Sequence, residues 1–162
     1  MSTAECKLYA PNLICICINS AERGDYTGVL WNQYDDKPDA FHNSIELIQK
    51  MDALYDEWDF PQRSTSCRTF GRIEDKPVRT GIREGKRQMD ARRVQENKGE
   101  KGTFIVHVKY RQNATWQGEV IWTERKQKQY FRSALELLKL IDSALDMGEE
   151  TDDMNVEESS AE

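Results

Sequence analysis

At 162 residues and a net charge of −6, the chain is long enough for one domain of ordinary size or for two small units that share a core. No apolar run approaches the roughly 20 residues of a membrane span, and the opening MSTAECKLYAP lacks the charged and apolar parts of a secretion signal, so we expect a cytoplasmic protein with no membrane partner. The four cysteines, Cys6, Cys15, Cys17 and Cys67, show no C-x-x-C spacing and fit a reducing compartment.

In chain order, the first predicted strand alternates Ile14, Ile16 and Ile18 with Cys15 and Cys17, the period-two pattern of β structure. The two cysteines read as small apolar residues of a buried strand. A metal site completed by His107 is the alternative, and no spaced pair of ligand pairs stands behind it. A second strand carries Tyr26, Gly28 and Leu30 against Val29 and Trp31, and Phe41 marks a short third one. Asp35, Asp36 and Asp39 lie in the loop before it and read as a solvated turn, without the Gly and Glu spacing of an EF-type calcium loop. Asn43-Ser-Ile-Glu46 then forms a capping box, followed by Ile45, Leu47, Ile48, Met51, Leu54, Tyr55 and Trp58 at helical steps as a buried stripe. Residues 10–58 are thus a β-β-β-α unit.

Residues 59–102 form a basic connector, partly ordered. FPQRSTSCRTFGRI, with Phe60, Cys67, Phe70 and Ile73, suits a strand or an ordered crossover, and REGKRQMDARRVQENKGEKG suits a mobile loop or an exposed helix. Arg83, Lys86, Arg87, Arg92 and Arg93 in this stretch have the clustered charge of a phosphate-binding surface. A solvated linker is the competing reading, because acids are interspersed and no aromatic residue is placed to stack on bases.

Residues 103–146 repeat the unit. Phe104, Val106, Val108 and Tyr110 alternate with Ile105, His107, Lys109 and Arg111; a turn at RQNAT follows; then Trp116, Gly118, Val120 and Trp122 alternate with Gln117, Glu119, Ile121 and Thr123. An edge strand ends at Tyr130 and Phe131, and Ser133-Ala-Leu-Glu136 caps a helix of about three turns whose stripe is Ala134, Leu137, Leu138, Ile141, Ala144 and Leu145. Residues 147–162 are acidic, with little to bury, and are expected to be disordered.

Shifted by 90 residues, the two units overlie without a gap: Gly28, Phe41, Glu46, Leu47, Asp52 and Asp56 fall on identical residues, and the apolar pattern matches around them. The expected fold is therefore α+β, an internal duplication of a β-β-β-α unit, with antiparallel sheets each covered by one helix about a pseudo-twofold axis. Asp52 and Asp142 recur within the helices and read as exposed helical carboxylates. The sheet face away from the helix differs between the units. In the first it carries Cys15, Cys17, Val29 and Trp31 and must be covered, either by the second unit or the connector, giving two sheets packed together or one larger mixed layer, or by a partner docking on Val29 and Trp31. In the second it is largely polar, with His107, Lys109, Gln117, Glu119 and Thr123.

There is no G-x-G-x-x-G, P-loop or G-x-S-x-G, and the two histidines have unrelated surroundings, so neither an enzyme nor any cofactor or metal is expected. The second unit, from Trp116 to Leu145, resembles in topology the three-stranded DNA-binding domains of the AP2 and integrase arm-binding class. That resemblance implies DNA contacts by Lys109, Arg111, Gln117, Thr123 and Arg125. WQGEVIW…FRSALELLKLID and FHNSIELIQKMDALYDEWDFPQ are similar to short uncharacterised bacterial proteins of gut-type and mobile-element genomes, which implies a bacterial setting and no activity. The leading expectation is an interaction or regulatory protein with another protein as partner; nucleic-acid binding through the second unit and the connector is the alternative. A monomer with an internal twofold and a homodimer are both compatible with the repeat.

Overall fold

The computed structural model describes residues 10–22, 25–64, 68–71 and 89–159, with side chains of the last helix described through residue 148. Strands β1 (Ile14–Glu22), β2 (Asp25–Trp31) and β3 (Asp39–Phe41) lead into helix α1 (Ser44–Trp58). A short helix, α2 (Ala91–Gln95), precedes β4 (Gly102–Tyr110), β5 (Gln117–Trp122), β6 (Gln127–Phe131) and helix α3 (Ala134–Ser159).

All six strands belong to one antiparallel sheet in the order β3-β2-β1-β4-β5-β6. Of the two arrangements open from the sequence, two packed sheets or one larger layer, the single layer is the one found, joined where Ile14 to Ile18 pair with Val106 to Gly102. The cause is the backbone. Left apart, β1 and β4 would each present a long apolar edge of unpaired N–H and C=O groups; side by side at the centre they satisfy each other.

The inner face packs Ile14, Ile16, Ile18, Leu30, Phe104, Val106, Val108 and Val120 against Leu47, Met51 and Tyr55 of α1 and Leu137 and Ile141 of α3. Each such fully buried side chain contributes about 1.5–3 kcal/mol. Ile45, expected in the stripe, is instead 69% exposed, and Leu135 is 62% exposed, because each lies two residues, about 200° around the helix, from the buried Leu47 or Leu137 and so faces away from the sheet. Two strand glycines are obligatory. A Cβ on Gly28 would lie 1.9 Å from the Cys17 carbonyl oxygen, and one on Gly118 would lie 2.0 Å from that of His107.

Both capping residues act as read from the sequence: Asn43 accepts from the Glu46 amide at 2.7 Å and Ser133 from the Glu136 amide at 3.0 Å. The return contacts differ. Glu136 accepts from the amide of Arg132 and not of Ser133, and Glu46 meets the His42 ring. Helix α3 continues to Ser159, through the stretch expected to be disordered after residue 146.

The last part of the connector holds the short helix α2, which exposes Arg92, Arg93 and Glu96 and buries Val94. Asp90 caps α2 by accepting from the Arg93 amide at 2.8 Å, and Met89 and Val94 bury themselves on the outer sheet face with Leu13, Cys15, Cys17, Ile105 and Ile121. Anchors run along its length: the Met89 amide donates to Gln33, Glu100 to the Asn19 side chain and Lys101 to Ile18. The apolar outer side of β1 and β2 supplies the driving force, since uncovered it would leave two cysteines, a valine and a tryptophan in water.

Candidate functional site

The cluster under α2 takes in β1, β2 and the Ile105 and Ile121 positions of β4 and β5, which leaves the rest of the outer face, from His107 and Glu119 across to β6, as a separate surface. Alternation along β5 and its register with β6 put Glu119 beside Tyr130 and Ile121 beside Lys128, while β4 places His107 opposite Glu119. Glu119, only 4% exposed, lies at the centre. Its Oε2 is 2.7 Å from Lys128 Nζ and 3.6 Å from Lys109 Nζ, and its Oε1 is 3.4 Å from His107 Nδ1. Burial pushes the Glu119 carboxyl up, but hydrogen bonds from Lys128 and His107 outweigh it and hold the group below its ordinary value. Burial also holds His107 below the usual histidine range, so the ring is neutral near pH 7.

Tyr130, 65% exposed, stands beside the two ammonium groups, with Lys109 Nζ 5.7 Å and Lys128 Nζ 5.5 Å from its ring centroid. Two lysines share one carboxylate, which leaves the face with a single net positive charge. Its chemistry is that of an anion-accepting platform. Glu119 orients the imidazole of His107, yet among the described residues no serine, threonine or cysteine hydrogen-bonds that ring to complete a nucleophile and base pair.

The five residues assigned to DNA contact are dispersed. Lys109 is on the open face and Gln117 at its margin, where the Gln117 side chain bonds Gln112 and Arg132 backbone. Thr123 and Arg125 lie in the 3-10 turn after β5, with Arg125 over the Trp122 ring at 5.2 Å. Arg111 is 3% exposed and turned inward: Nη1 binds Asp56 at 2.6 Å and Nε binds the Pro61 carbonyl at 2.6 Å. Arg63 completes this cluster through Asp52 at 2.6 Å and Asp56 at 2.7 Å. Here Arg111 ties the end of β4 to the end of α1, a structural task that the strand pattern alone does not disclose.

Of the connector bases, Arg92 pairs with Glu96 on exposed α2 at 3.7 Å and Arg93 is exposed in the same helix, while Arg83, Lys86 and Arg87 lie outside the described residues. Val29 and Trp31, read as a docking face, are half-buried against the cluster that α2 completes. Cys15 and Cys17 are buried free thiols with sulfurs 3.9 Å apart; register sets Ile105 beside Cys15 and Thr103 beside Cys17, so His107 is not placed to share an ion with them. Lys128 and Tyr130 were missed. Their signal was the alternation of QKQYF, which puts both on one side of an edge strand.

A groove of about 180 Å³ opens on the inner face between α3 and β6. Phe104, Val120 and Trp122 floor it, Leu140 and Ala144 form the helix wall, and the exposed Gln127, Gln129, Ser143 and Met147 surround its mouth. No protein-family model matches the chain, and searches of curated proteins and of solved structures find no match either.

Proposed function

We propose that this chain is a non-catalytic interaction protein, built by duplication of one β-β-β-α unit about a pseudo-twofold axis, that docks an acidic region of a protein partner on the open outer face of β4, β5 and β6. Details 90 residues apart support the duplication. Asn19 and Lys109 are both bulge residues, and Gly28 and Gly118 each meet the carbonyl of the neighbouring strand. Asp25 and Thr115 accept from the first helical amides, Ser44 at 2.7 Å and Ala134 at 3.0 Å. The units also exchange contacts: Tyr26 donates its hydroxyl proton to Asp142, and the Trp116 indole N–H points to Asp52 at 3.4 Å.

One observation carries the docking reading. The outer face is capped by α2 where it is apolar and left open where it carries Lys109, Lys128 and Tyr130 around a sunken Glu119. Nucleic acid is less well served, since Arg111 is committed to Asp56 and one net positive charge gives few phosphate contacts.

The test places a photo-cross-linking residue at Tyr130, at Trp31 or at Leu135 in the full chain and exposes each to extract. Protein adducts confined to the Tyr130 position, resistant to nuclease and lost with Lys109→Glu and Lys128→Glu, support the proposal. Nuclease-sensitive adducts, or equal adducts at all three positions, overturn it.

A further inference from the structure

Strand β6 ends the sheet. Among the described residues it pairs only with β5, and Gln127 to Tyr130 are all exposed. An edge of this kind offers unpaired backbone N–H and C=O groups at strand spacing, the feature that lets an extended peptide add to a sheet. The groove described above opens along the same edge, on the inner side. On the outer side of the strand stand Lys128 and Tyr130, with Lys109 beyond. Successive side chains of an added strand point to opposite faces, so one residue would meet the groove and its neighbours the lysines.

We infer that β6 takes an extended segment of the protein partner as an added strand, with one apolar side chain in the groove and acidic residues on either side of it facing Lys128 and Lys109. This rests on the protein-docking reading and names the partner's chemistry. The groove volume of about 180 Å³ suits a phenyl or branched aliphatic side chain, since a cavity of roughly 150 Å³ admits benzene. Its wall and floor are apolar, with Trp122 held from above by Arg125.

The corresponding place at the other edge is filled differently. There Lys50 Nζ reaches Asp39 at 2.6 Å across the gap between α1 and β3, and Leu54 stands 90 residues before Ala144. Ninety residues on, Leu140 and Gln129 cannot form such an ion pair and instead line the groove.

The experiment pans a displayed library of random seven-residue peptides on the full chain. Enriched peptides should share an apolar residue with Asp or Glu on both sides, and a synthetic copy should lose at least tenfold in affinity with Lys128→Glu and with Ala144→Leu. Ser143→Trp, which blocks the exposed mouth without entering the core, stands in where Ala144→Leu impairs folding. No enrichment, or enrichment without that alternation, overturns the inference, whereas the outer-face reading is decided independently by the cross-links at Tyr130. If both groove variants leave binding intact, or if none of the three matters, the added strand falls, whatever the cross-links say of the outer face.

Discussion

At the β3 end of the sheet Lys50 bridges helix and edge strand through Asp39, and Trp58 packs its ring on Tyr34 at 5.1 Å and Tyr55 at 6.0 Å. At the β6 end the matching positions are Leu140, Gln129 and Gly148, and the gap between helix and strand is a groove. The outer face shows the same opposition, sealed by α2 at one end and open at the other. The difference lies in a few side chains at positions 90 residues apart: Lys50 and Leu140, Asp39 and Gln129, Leu54 and Ala144.

The largest expected effect tests an asymmetric tie. Arg111 has Ala21 as its counterpart, and Arg111→Met should destabilise the chain by about 3 kcal/mol in urea unfolding, because it leaves Asp56 short of a buried partner while Arg63 remains. Next, Gly28→Ala and Gly118→Ala should cost similar amounts, roughly 2–3 kcal/mol each, since both place a Cβ against a backbone carbonyl. Unequal costs would break the comparison of the two strand pairs.

Val94→Asp should detach α2 from the sheet at a cost of about 2 kcal/mol. Mass-spectrometric alkylation would then report Cys15 and Cys17 before global unfolding; if both stay protected, α2 is not what shields them. For the open half, acid is the probe. His107 and Glu119 are both held below their ordinary values, so the stability they lend is present above about pH 6.5 and 4.3 respectively and lost as pH falls below each. Glu119→Gln should flatten the lower portion of a urea-midpoint series against pH, and an unchanged profile would remove Glu119 from the account. The smallest effect is Lys50→Ala, worth at most about 1 kcal/mol because the pair is solvent-washed. Its value is that it should admit an apolar fluorescent probe at the β3 end.

Much of this was legible in the sequence, and for local reasons. The alternation Ile14-Ile16-Ile18, the caps at Asn43 and Ser133 and, Ile45 apart, the helix stripes depend on neighbours a few residues away, and each is where its pattern put it. The pairing of β1 with β4 was not legible, because hydrogen bonds between residues about 90 apart leave no local trace. Nor was the role of Arg111, whose alternation with Tyr110 implies an exposed strand end and whose partners come from α1 and Pro61. The groove escaped for a related reason: Ala144 reads as an ordinary stripe residue until its neighbours across the gap are known.

Placing β1 beside β4 has a consequence in time. Ile14 to Ile18 emerge from the ribosome long before Gly102 to Val106 are made, so the strand at the centre of the finished sheet waits with one edge unpaired while the intervening chain is synthesised. Pairing at such separation closes a long loop and is slow relative to the hairpins on either side. The hairpins β1–β2 and β4–β5 should therefore form first and the central seam last, and the nascent first half is the form of this molecule most exposed to aggregation.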